Sequence, residues 1–132
     1  MLNLKLTIEK MLATLVVASF VLTSVTVLLL QGDSLTREEA IGISRNTPIV
    51  QEALGLGDRL GGIPRVTADH WNATYIISLK QKNPNHEEFE NLPEDHGVWR
   101  VFWIIFPPGE HILHFVDELT GQVLYEAAYY FG

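Results

Sequence analysis

The stretch Val98-Trp-Arg-Val-Phe-Trp-Ile-Ile-Phe106 decides the fold of this chain. β-Branched and aromatic residues fill it, which is typical of a β-strand. It is apolar on both alternating faces except at Arg100, so we expect a central strand whose two faces are both covered. Pro107-Pro108-Gly109 follows and ends the strand, because proline and glycine favour a turn over a continued ladder.

Two strands are predicted after this turn. Ile112–Asp117 and Gln122–Tyr130 are expected to pair as a hairpin across Glu118-Leu-Thr-Gly121. The turn places Gly121 where a positive φ is needed, a conformation that glycine adopts at low cost.

Two further strands are predicted before the central one. Arg65–Trp71 and Thr74–Lys80 are rich in Val, Tyr and Ile and read as strands. The polar stretch Asn83–Gly97 then forms an acidic loop that leads into Val98.

A helix is predicted at the start of this region. Thr36 and Glu39 have the spacing of a capping box. Pro48 interrupts the helix and starts a second helical segment over Ile49–Leu54, and the glycine-rich residues 55–62 are predicted to be a flexible loop. The sequence thus predicts an α+β domain in which a helix packs on an antiparallel sheet of four or five strands.

The N-terminal part of the chain has a different character, since no charged residue lies between Lys10 and Asp33. Met11–Leu30 is almost wholly apolar, and about 20 helical residues at ~1.5 Å each span the ~30 Å hydrocarbon core of a bilayer. We therefore predict a single transmembrane anchor helix in residues 1–32 and an extracytoplasmic domain over residues 33–132. Lysines precede the apolar run, so we expect the N-terminus in the cytoplasm and the domain outside the cell membrane.

Two other interpretations of this segment stay open. A secretory signal peptide has a shorter apolar region of about 7–15 residues and a small-x-small cleavage site, whereas this run ends in Leu30-Gln31-Gly32. A pilin-type leader has a small residue beside the basic one before the apolar run, whereas Lys10-Met11 stands here. Three hydroxyl side chains share one face of the predicted helix, where they either meet a partner helix or bond their own backbone: Ser19, Thr23 and Thr26.

The charge of the chain excludes some partners. The formal net charge is −7, and residues 33–132 carry −8 because the first 32 residues hold two lysines and one glutamate. This acidic balance argues against nucleic acid as a partner, since binding it needs a basic surface. The chain has no cysteine, which removes disulfides, thiolate metal sites and cysteine nucleophiles together.

Two segments together resemble the PepSY domain family. Leu35-Thr-Arg-Glu-Glu-Ala-Ile41 is similar to its opening helix, and Phe115-Val-Asp-Glu-Leu-Thr-Gly-Gln-Val-Leu124 to its closing hairpin with an Asp-x-x-Thr-Gly-x-Val turn. The acidic insertion Asn83–Gly97 and the aromatic Trp99–Phe106 depart from the family pattern. The resemblance implies a helix-plus-sheet module, found in propeptides of thermolysin-like peptidases and in membrane-anchored proteins. There it is proposed to inhibit peptidases or to mediate protein contacts, and it brings no catalytic residue to this chain.

The histidines raise the question of a metal site. His111-x-x-His114 lies on a predicted strand, where an odd spacing sends the two side chains to opposite faces. The weak candidates for a metal site are in the acidic loop, where a solvated surface is the ordinary alternative: His86, Glu90, Asp95 and His96. We predict no metal or other cofactor. No serine lies in a Gly-x-Ser-x-Gly motif and no Ser–His–Asp arrangement is evident, so the chain is not predicted to be an enzyme.

Aromatic residues are the best candidates for a binding surface. One helix is too little to cover a two-faced strand, so some apolar surface is expected to meet another protein. Asn72-Ala-Thr74 is a glycosylation sequon, which makes Asn72 a candidate wherever the host glycosylates exported proteins. The candidate interaction residues of the domain are Trp99, Trp103, Tyr129, Tyr130 and Phe131.

These observations predict a non-enzymatic, membrane-anchored binding module, an accessory or regulatory subunit of a membrane protein complex. Its partners would be the lipid bilayer and a membrane protein that contacts the transmembrane helix and the aromatic surface. An anchored peptidase inhibitor of the PepSY type is the alternative, and a pilin-like filament subunit is a further one.

Overall fold

The computed structural model describes residues 33–130, and from Ser34 onward these belong to one compact unit. The predicted transmembrane segment, with Ser19, Thr23 and Thr26, lies outside the described residues, and so does Phe131. Within residues 33–130, no helix combines the length and the hydropathy needed to cross a membrane.

The described residues form an α+β domain, as the sequence predicts. Four helices and four strands follow one another along the chain: α1 Arg37–Arg45, α2 Pro48–Arg59, β1 Ile63–Trp71, α3 Ala73–Lys82, α4 Glu87–Glu90, β2 Val98–Phe106, β3 Glu110–Asp117 and β4 Val123–Tyr130. The strands make one antiparallel sheet in the order β1-β2-β3-β4. The sheet is therefore a meander of four strands, with α3 and α4 inserted between β1 and β2.

Strand β2 has the predicted bounds and is buried from both sides. On one face, which we call the α1–α2 face, Trp103 and Ile105 are buried, and the Trp103 indole N–H donates to Ser44 Oγ of α1 at 2.8 Å. On the opposite, α3 face, Ile76 of α3 packs in a core cluster that contains Val98. Helices thus cover both faces of β2, as a strand that is apolar on both faces requires.

The N-terminus of α1 has the predicted capping box. Thr36 Oγ1 accepts from the backbone N–H of Glu39 at 3.2 Å, and the Glu39 carboxylate accepts from the backbone N–H of Thr36 at 3.1 Å. These reciprocal bonds satisfy two backbone donors that the first helical turn leaves without partners.

Helix α2 is longer than predicted, and the assignment of residues 55–62 to a flexible loop is wrong for most of that range. The helix starts at Pro48 and continues through Gly55 and Gly57 to Arg59. Gly57 is buried, and a Cβ at this position would lie only 2.5 Å from Ile105 Cγ2 of the sheet. The glycine therefore lets the helix approach the sheet closely, and this packing overrides its low helix propensity.

The predicted strand Thr74–Lys80 is instead helix α3, which is a correction. Asn72 caps the helix, since its side-chain oxygen accepts from the backbone N–H of Tyr75 at 2.8 Å. Ile76 is the buried residue of this helix. A short run of β-branched and aromatic residues fits a strand or a helix equally well, and here the N-cap decides for the helix. The loop Asn83–Gly97 likewise contains a helical turn, α4.

The closing hairpin is confirmed, with β3 starting two residues earlier than predicted and β4 one residue later. Gly121 has φ 71°, in the left-handed region, and its N–H donates to the Asp117 carbonyl at 2.9 Å. Val116 and Val123 pair beside the turn; Val116 is fully buried and Val123 half-buried.

Replacing Gly121 with Val should lower the melting temperature. The positive φ strains a side chain by about 1 kcal/mol or more, and the new Cβ would lie 3.0 Å from Ile43 Cδ1. A domain of this size loses roughly 4–8 °C per kcal/mol. Thermal unfolding of the detergent-solubilised chain, followed by near-ultraviolet circular dichroism, measures the change. Gln122→Val is the matched control, and an equal effect of the two variants would contradict the turn geometry.

Two glycines of α2 should respond in opposite ways to the same substitution. Gly57→Ala must displace Ile105 and should lower the melting temperature. Gly55→Ala meets no atom within 4 Å and should raise it, because Ala favours a helix interior over Gly by about 0.5–1 kcal/mol. The same unfolding measurement tests both, and a stabilising Gly57→Ala would show that α2 does not rest on β2 at this point.

Candidate functional site

Exposed apolar side chains gather at one end of the sheet. The antiparallel register brings the start of β1, the end of β2, the start of β3 and the end of β4 to this end. We call it the apolar end, because it carries five of the six large hydrophobic residues that are exposed among the described residues: Leu60, Ile63, Phe106, Tyr129 and Tyr130. Such a cluster at one end, unlike scattered single residues, is typical of an interaction surface.

A groove lies at the apolar end on the α1–α2 face. Residues of α2 form one wall and the ends of β3 and β4 form the other: Ile49, Glu52, Ala53, Glu110, Ile112, Ala128, Tyr129 and Tyr130. Its volume of about 240 Å³ is below the roughly 300–1,000 Å³ typical of small-molecule sites. The groove therefore suits one or two side chains of a protein partner better than a cofactor.

The groove offers a partner both apolar surface and negative charge. Ile112 provides a buried apolar floor, and Tyr130 is 66% exposed at the rim. Glu52 and Glu110 add two carboxylates, neither of which forms an ion pair with another residue in the range 33–130. An apolar side chain flanked by a lysine or arginine would satisfy all of these groups.

The predicted interaction residues are distributed over three environments. Trp103 is 2% exposed and belongs to the core, not to a binding surface. Trp99 is half-buried, and its indole N–H donates to the Leu35 carbonyl at 2.8 Å. Tyr129 and Tyr130 are both exposed, so they are the predicted aromatics that a partner can reach. The register places the Tyr130 side chain on the α1–α2 face at the groove and the Tyr129 side chain on the α3 face.

The opposite end of the sheet, the hairpin end, is polar. His96 Nε2 lies 2.7 Å from an Asp117 carboxylate oxygen, and its Nδ1 lies 2.7 Å from Asp95. His70 Nε2 contacts the Glu118 carboxylate at 2.5 Å. We call these five side chains the histidine–acid network; they tie β1, the loop before β2 and the hairpin turn together.

The network shifts the ionisation of the His96–Asp117 pair. For His96, burial lowers the pKa, but hydrogen bonds and charge attraction from Asp117 and Asp95 outweigh it and raise the pKa above the ordinary 6.5. For Asp117, burial raises the pKa, but the bonds from His96 and from the backbone N–H groups of Thr120 and Leu119 lower it below the ordinary 3.8. The pair is thus held as imidazolium and carboxylate over a wider pH range than in an unfolded chain.

The four weak candidates for a metal site do not form one site. Asp95 and His96 belong to the histidine–acid network, whereas His86 and Glu90 line a separate surface cavity of about 590 Å³. His86 Nδ1 contacts Glu88 at 3.4 Å. Throughout the described part of the chain, no three His, Asp or Glu side chains are arranged to hold a metal ion.

The sequon residue Asn72 is exposed at the surface. Its side-chain oxygen caps α3 by accepting the Tyr75 N–H. Glycosylation of Asn72 stays a prediction.

A buried polar chain is the feature that sequence reasoning missed. Ser44 Oγ lies 2.6 Å from His114 Nδ1, and His114 Nε2 lies 2.7 Å from the Glu126 carboxylate. Because a carboxylate only accepts, Nε2–H donates to Glu126, and in the neutral imidazole Nδ1 accepts from the Ser44 hydroxyl. Trp103 donates to that same hydroxyl oxygen. We call this set the buried polar chain.

The buried polar chain has the residue types of a hydrolytic triad but not its accessibility. Ser44 and His114 are both 0% exposed, so a substrate cannot approach the hydroxyl. The Trp103 and His114 ring nitrogens and the Ser44 hydroxyl all have partners, which is what a structural role in a core requires. We assign it the role of fixing α1 on the sheet.

Replacing His96 with Gln should remove a pH-dependent part of the stability. A raised His96 pKa stabilises the fold below the unfolded value of 6.5, and this contribution is lost as the pH rises through the folded value. The lowered Asp117 pKa stabilises it above 3.8, and this contribution is lost as the pH falls. The pair therefore contributes most between these two values.

The melting temperatures of the unsubstituted chain and His96→Gln should differ by several degrees near pH 5.5 and by much less near pH 9. His86→Gln, at an exposed histidine outside the network, is the control. A difference that does not change with pH would show that His96 is not charged in the folded domain.

No protein-family model matches this chain, and no significant match is found among the curated proteins or the solved structures. The resemblance to the PepSY family therefore stays a hypothesis that rests on the two short segments quoted above.

Proposed function

We propose that this chain is a membrane-anchored binding module whose extracytoplasmic domain docks onto a membrane protein through the groove at its apolar end. The observation that carries the proposal is the exposure of Tyr130, which is 66% exposed at the rim of that groove. Large aromatic rings left in water beside a preformed apolar cleft are the usual anchors of protein interfaces.

The chemistry of the groove indicates the kind of segment that it binds. The domain is acidic overall, and Glu52 and Glu110 place carboxylates beside the apolar floor. A partner segment with one or two apolar side chains next to a basic residue fits both properties. Long-range attraction between an acidic domain and a basic segment would also speed their encounter.

The anchoring half of the proposal comes from the sequence. Residues 11–30 have the length and hydropathy of a membrane-spanning helix, and the flanking charges favour an external domain. An accessory or regulatory subunit of a membrane complex combines these properties, because the anchor keeps the domain and its partner in the same membrane. The proposal assigns no catalytic role to the chain.

A second candidate function is an anchored peptidase inhibitor of the PepSY type. It is favoured by the hairpin turn, in which Asp117 Oδ1 accepts from the backbone N–H groups of Leu119 and Thr120. These bonds give the Asp-x-x-Thr-Gly segment a structural role in stabilising the turn, in keeping with the resemblance. Purified full-length protein should then slow exported metallopeptidases, and an unchanged rate across a broad panel would remove this candidate.

Replacing Tyr130 with Ala should weaken the capture of the partner. Full-length tagged chain is cross-linked in its native membranes, purified in mild detergent and examined by mass spectrometry. We expect a defined membrane protein to co-purify, with a yield about tenfold lower for Tyr130→Ala, as for loss of one interface anchor. Glu110→Lys should lower the yield as well, because it reverses a charge at the groove.

Gln81→Ala, at an exposed position of α3, is the control and should leave the yield unchanged. The proposal fails if no membrane protein co-purifies, or if the Tyr130 and Gln81 variants capture the same protein equally well.

A further inference from the structure

Strand β1 is an edge strand without a neighbour on its outer side among the described residues. It runs for nine residues, Ile63–Trp71. A long exposed edge offers unpaired backbone N–H and C=O groups to another strand, and soluble proteins usually block such an edge. Pro64, near the beginning of β1, removes one donor and leaves the middle of the strand open.

The sequence of β1 is complementary to itself when reversed. Arg65 and Asp69 lie on the same face, two residues on either side of Thr67. In an antiparallel pair of β1 strands centred on Thr67, each Arg65 stands opposite the other copy's Asp69. Opposite charges directly across two strands attract, whereas like charges repel.

We propose that two copies of this chain associate through an antiparallel β1–β1 pairing, with the two Thr67 residues facing each other across a twofold axis. The pairing joins the two four-stranded sheets into one continuous sheet. It is an isologous contact, in which the same surface is used by both copies and the assembly closes at two.

The charged groups are available for this contact. Arg65 makes no hydrogen bond or ion pair with another residue between 33 and 130. Asp69 is 65% exposed, and its contact with Arg100 is long, at 3.9 Å. Each charge thus keeps its capacity for a closer partner, which the second copy supplies.

The apolar groups match in the same register. Ile63 is 69% exposed and, with Arg65, Ile104 and Phe106, lines a cavity of about 340 Å³ on the α3 face. Pairing about Thr67 sets the second copy's Trp71 opposite Ile63. Tyr75 packs against Trp71 with ring centroids 5.2 Å apart and is 47% exposed, so the second copy's Tyr75 is carried toward the Ile63 cavity.

Other pairings satisfy fewer of these groups. Moving the centre from Thr67 to Ala68 places Arg65 opposite Trp71 and leaves its charge unmatched. The other edge strand, β4, has Glu126 as its one charged residue, so it offers no pair of opposite charges. The charge pattern therefore selects both the edge and the register.

The dimer goes beyond the proposed function and does not depend on it. The groove that carries the proposed function is formed by α2 and the ends of β3 and β4, whereas the dimer contact is formed by β1 and α3. Loss of one should leave the other intact, and this separates the two proposals in experiment.

The first test uses cysteine cross-linking of the full-length chain in membranes. The chain has no cysteine, so each variant carries a single thiol. Facing residues of antiparallel strands have Cα atoms about 4.5–5.5 Å apart, within the range for a disulfide. Thr67→Cys should therefore form a disulfide-linked dimer under mild oxidation, in at least about tenfold higher yield than Ala128→Cys on the opposite edge strand.

Thr67→Cys combined with Tyr130→Ala should cross-link as well as Thr67→Cys alone, even if partner capture is lost. Equal yields from Thr67→Cys and Ala128→Cys would overturn the β1 dimer, since chance collision in the membrane then explains both.

The second test examines the register through charge. In the Thr67→Cys background, Arg65→Glu places two acids opposite each other, and Asp69→Lys places two bases opposite each other. Each variant alone should cross-link several-fold less than its parent. Differently tagged copies of the two variants, produced together, should restore cross-linking between the two tags, because Glu then meets Lys and Asp meets Arg.

Restored cross-linking cannot come from misfolding of either variant, so the mixture tests the register even if the single variants lose stability. Cross-linking that is unaffected by either charge change, or that is not restored in the mixture, would overturn it.

Discussion

The fold depends on one constraint: strand β2 is apolar on both faces, and water must be excluded from both. Val101, Trp103 and Ile105 face α1 and α2, while Val98 faces α3. Two helical layers are needed because a sheet with one wet face would leave half of this strand in solvent. Coverage on the α3 face is complete near the hairpin end and incomplete at the apolar end, where Phe106 is 68% exposed. The cavity beside Ile63, which the proposed β1 dimer would use, lies where this burial is unfinished.

The buried polar chain holds α1 at one defined position on the sheet. Apolar burial alone does not fix the position of α1 along the sheet, since one apolar contact can replace another with little change in free energy. The bonds from Trp103 through Ser44 and His114 to Glu126 hold at one position, because any shift leaves a buried polar atom without a partner at a cost of about 1–3 kcal/mol. The buried polar chain therefore sets the register of α1 against the sheet. Because α2 follows α1 directly, this register also helps to position the groove wall that α2 forms.

The parts of the fold that local chemistry determines were predictable from sequence. The capping box at Thr36, the strand Val98–Phe106 and the positive-φ turn at Gly121 each depend on neighbours within a few residues. Helix α3 is not predictable in this way, because its apolar run fits the period of a strand as well as that of a helix. The Asn72 cap that decides for the helix coincides with a glycosylation sequon. The role of Gly57 is likewise not predictable from its neighbours, because it is set by Ile105, far along the chain.

The same distinction applies to the candidate site. Consecutive aromatics at Tyr129 and Tyr130 indicated exposure, since neighbouring residues on a strand point to opposite faces. The buried polar chain and the groove could not be predicted, because they join elements that are distant in sequence: Ser44 and His114 are 70 residues apart. Such partners become visible only when the sheet register is known.

The connectivity of the meander also implies an order of folding. Strands β2, β3 and β4 are joined by short turns, so their contacts close small loops, whereas β1 reaches β2 only after residues 72–97 are bridged. Closing the longer loop costs more chain entropy, and contacts distant in sequence form more slowly. Strand β1 is therefore expected to join the sheet last. Its outer edge exists only once the rest of the domain is formed, so a nascent chain would complete its own fold before it could pair with a second copy.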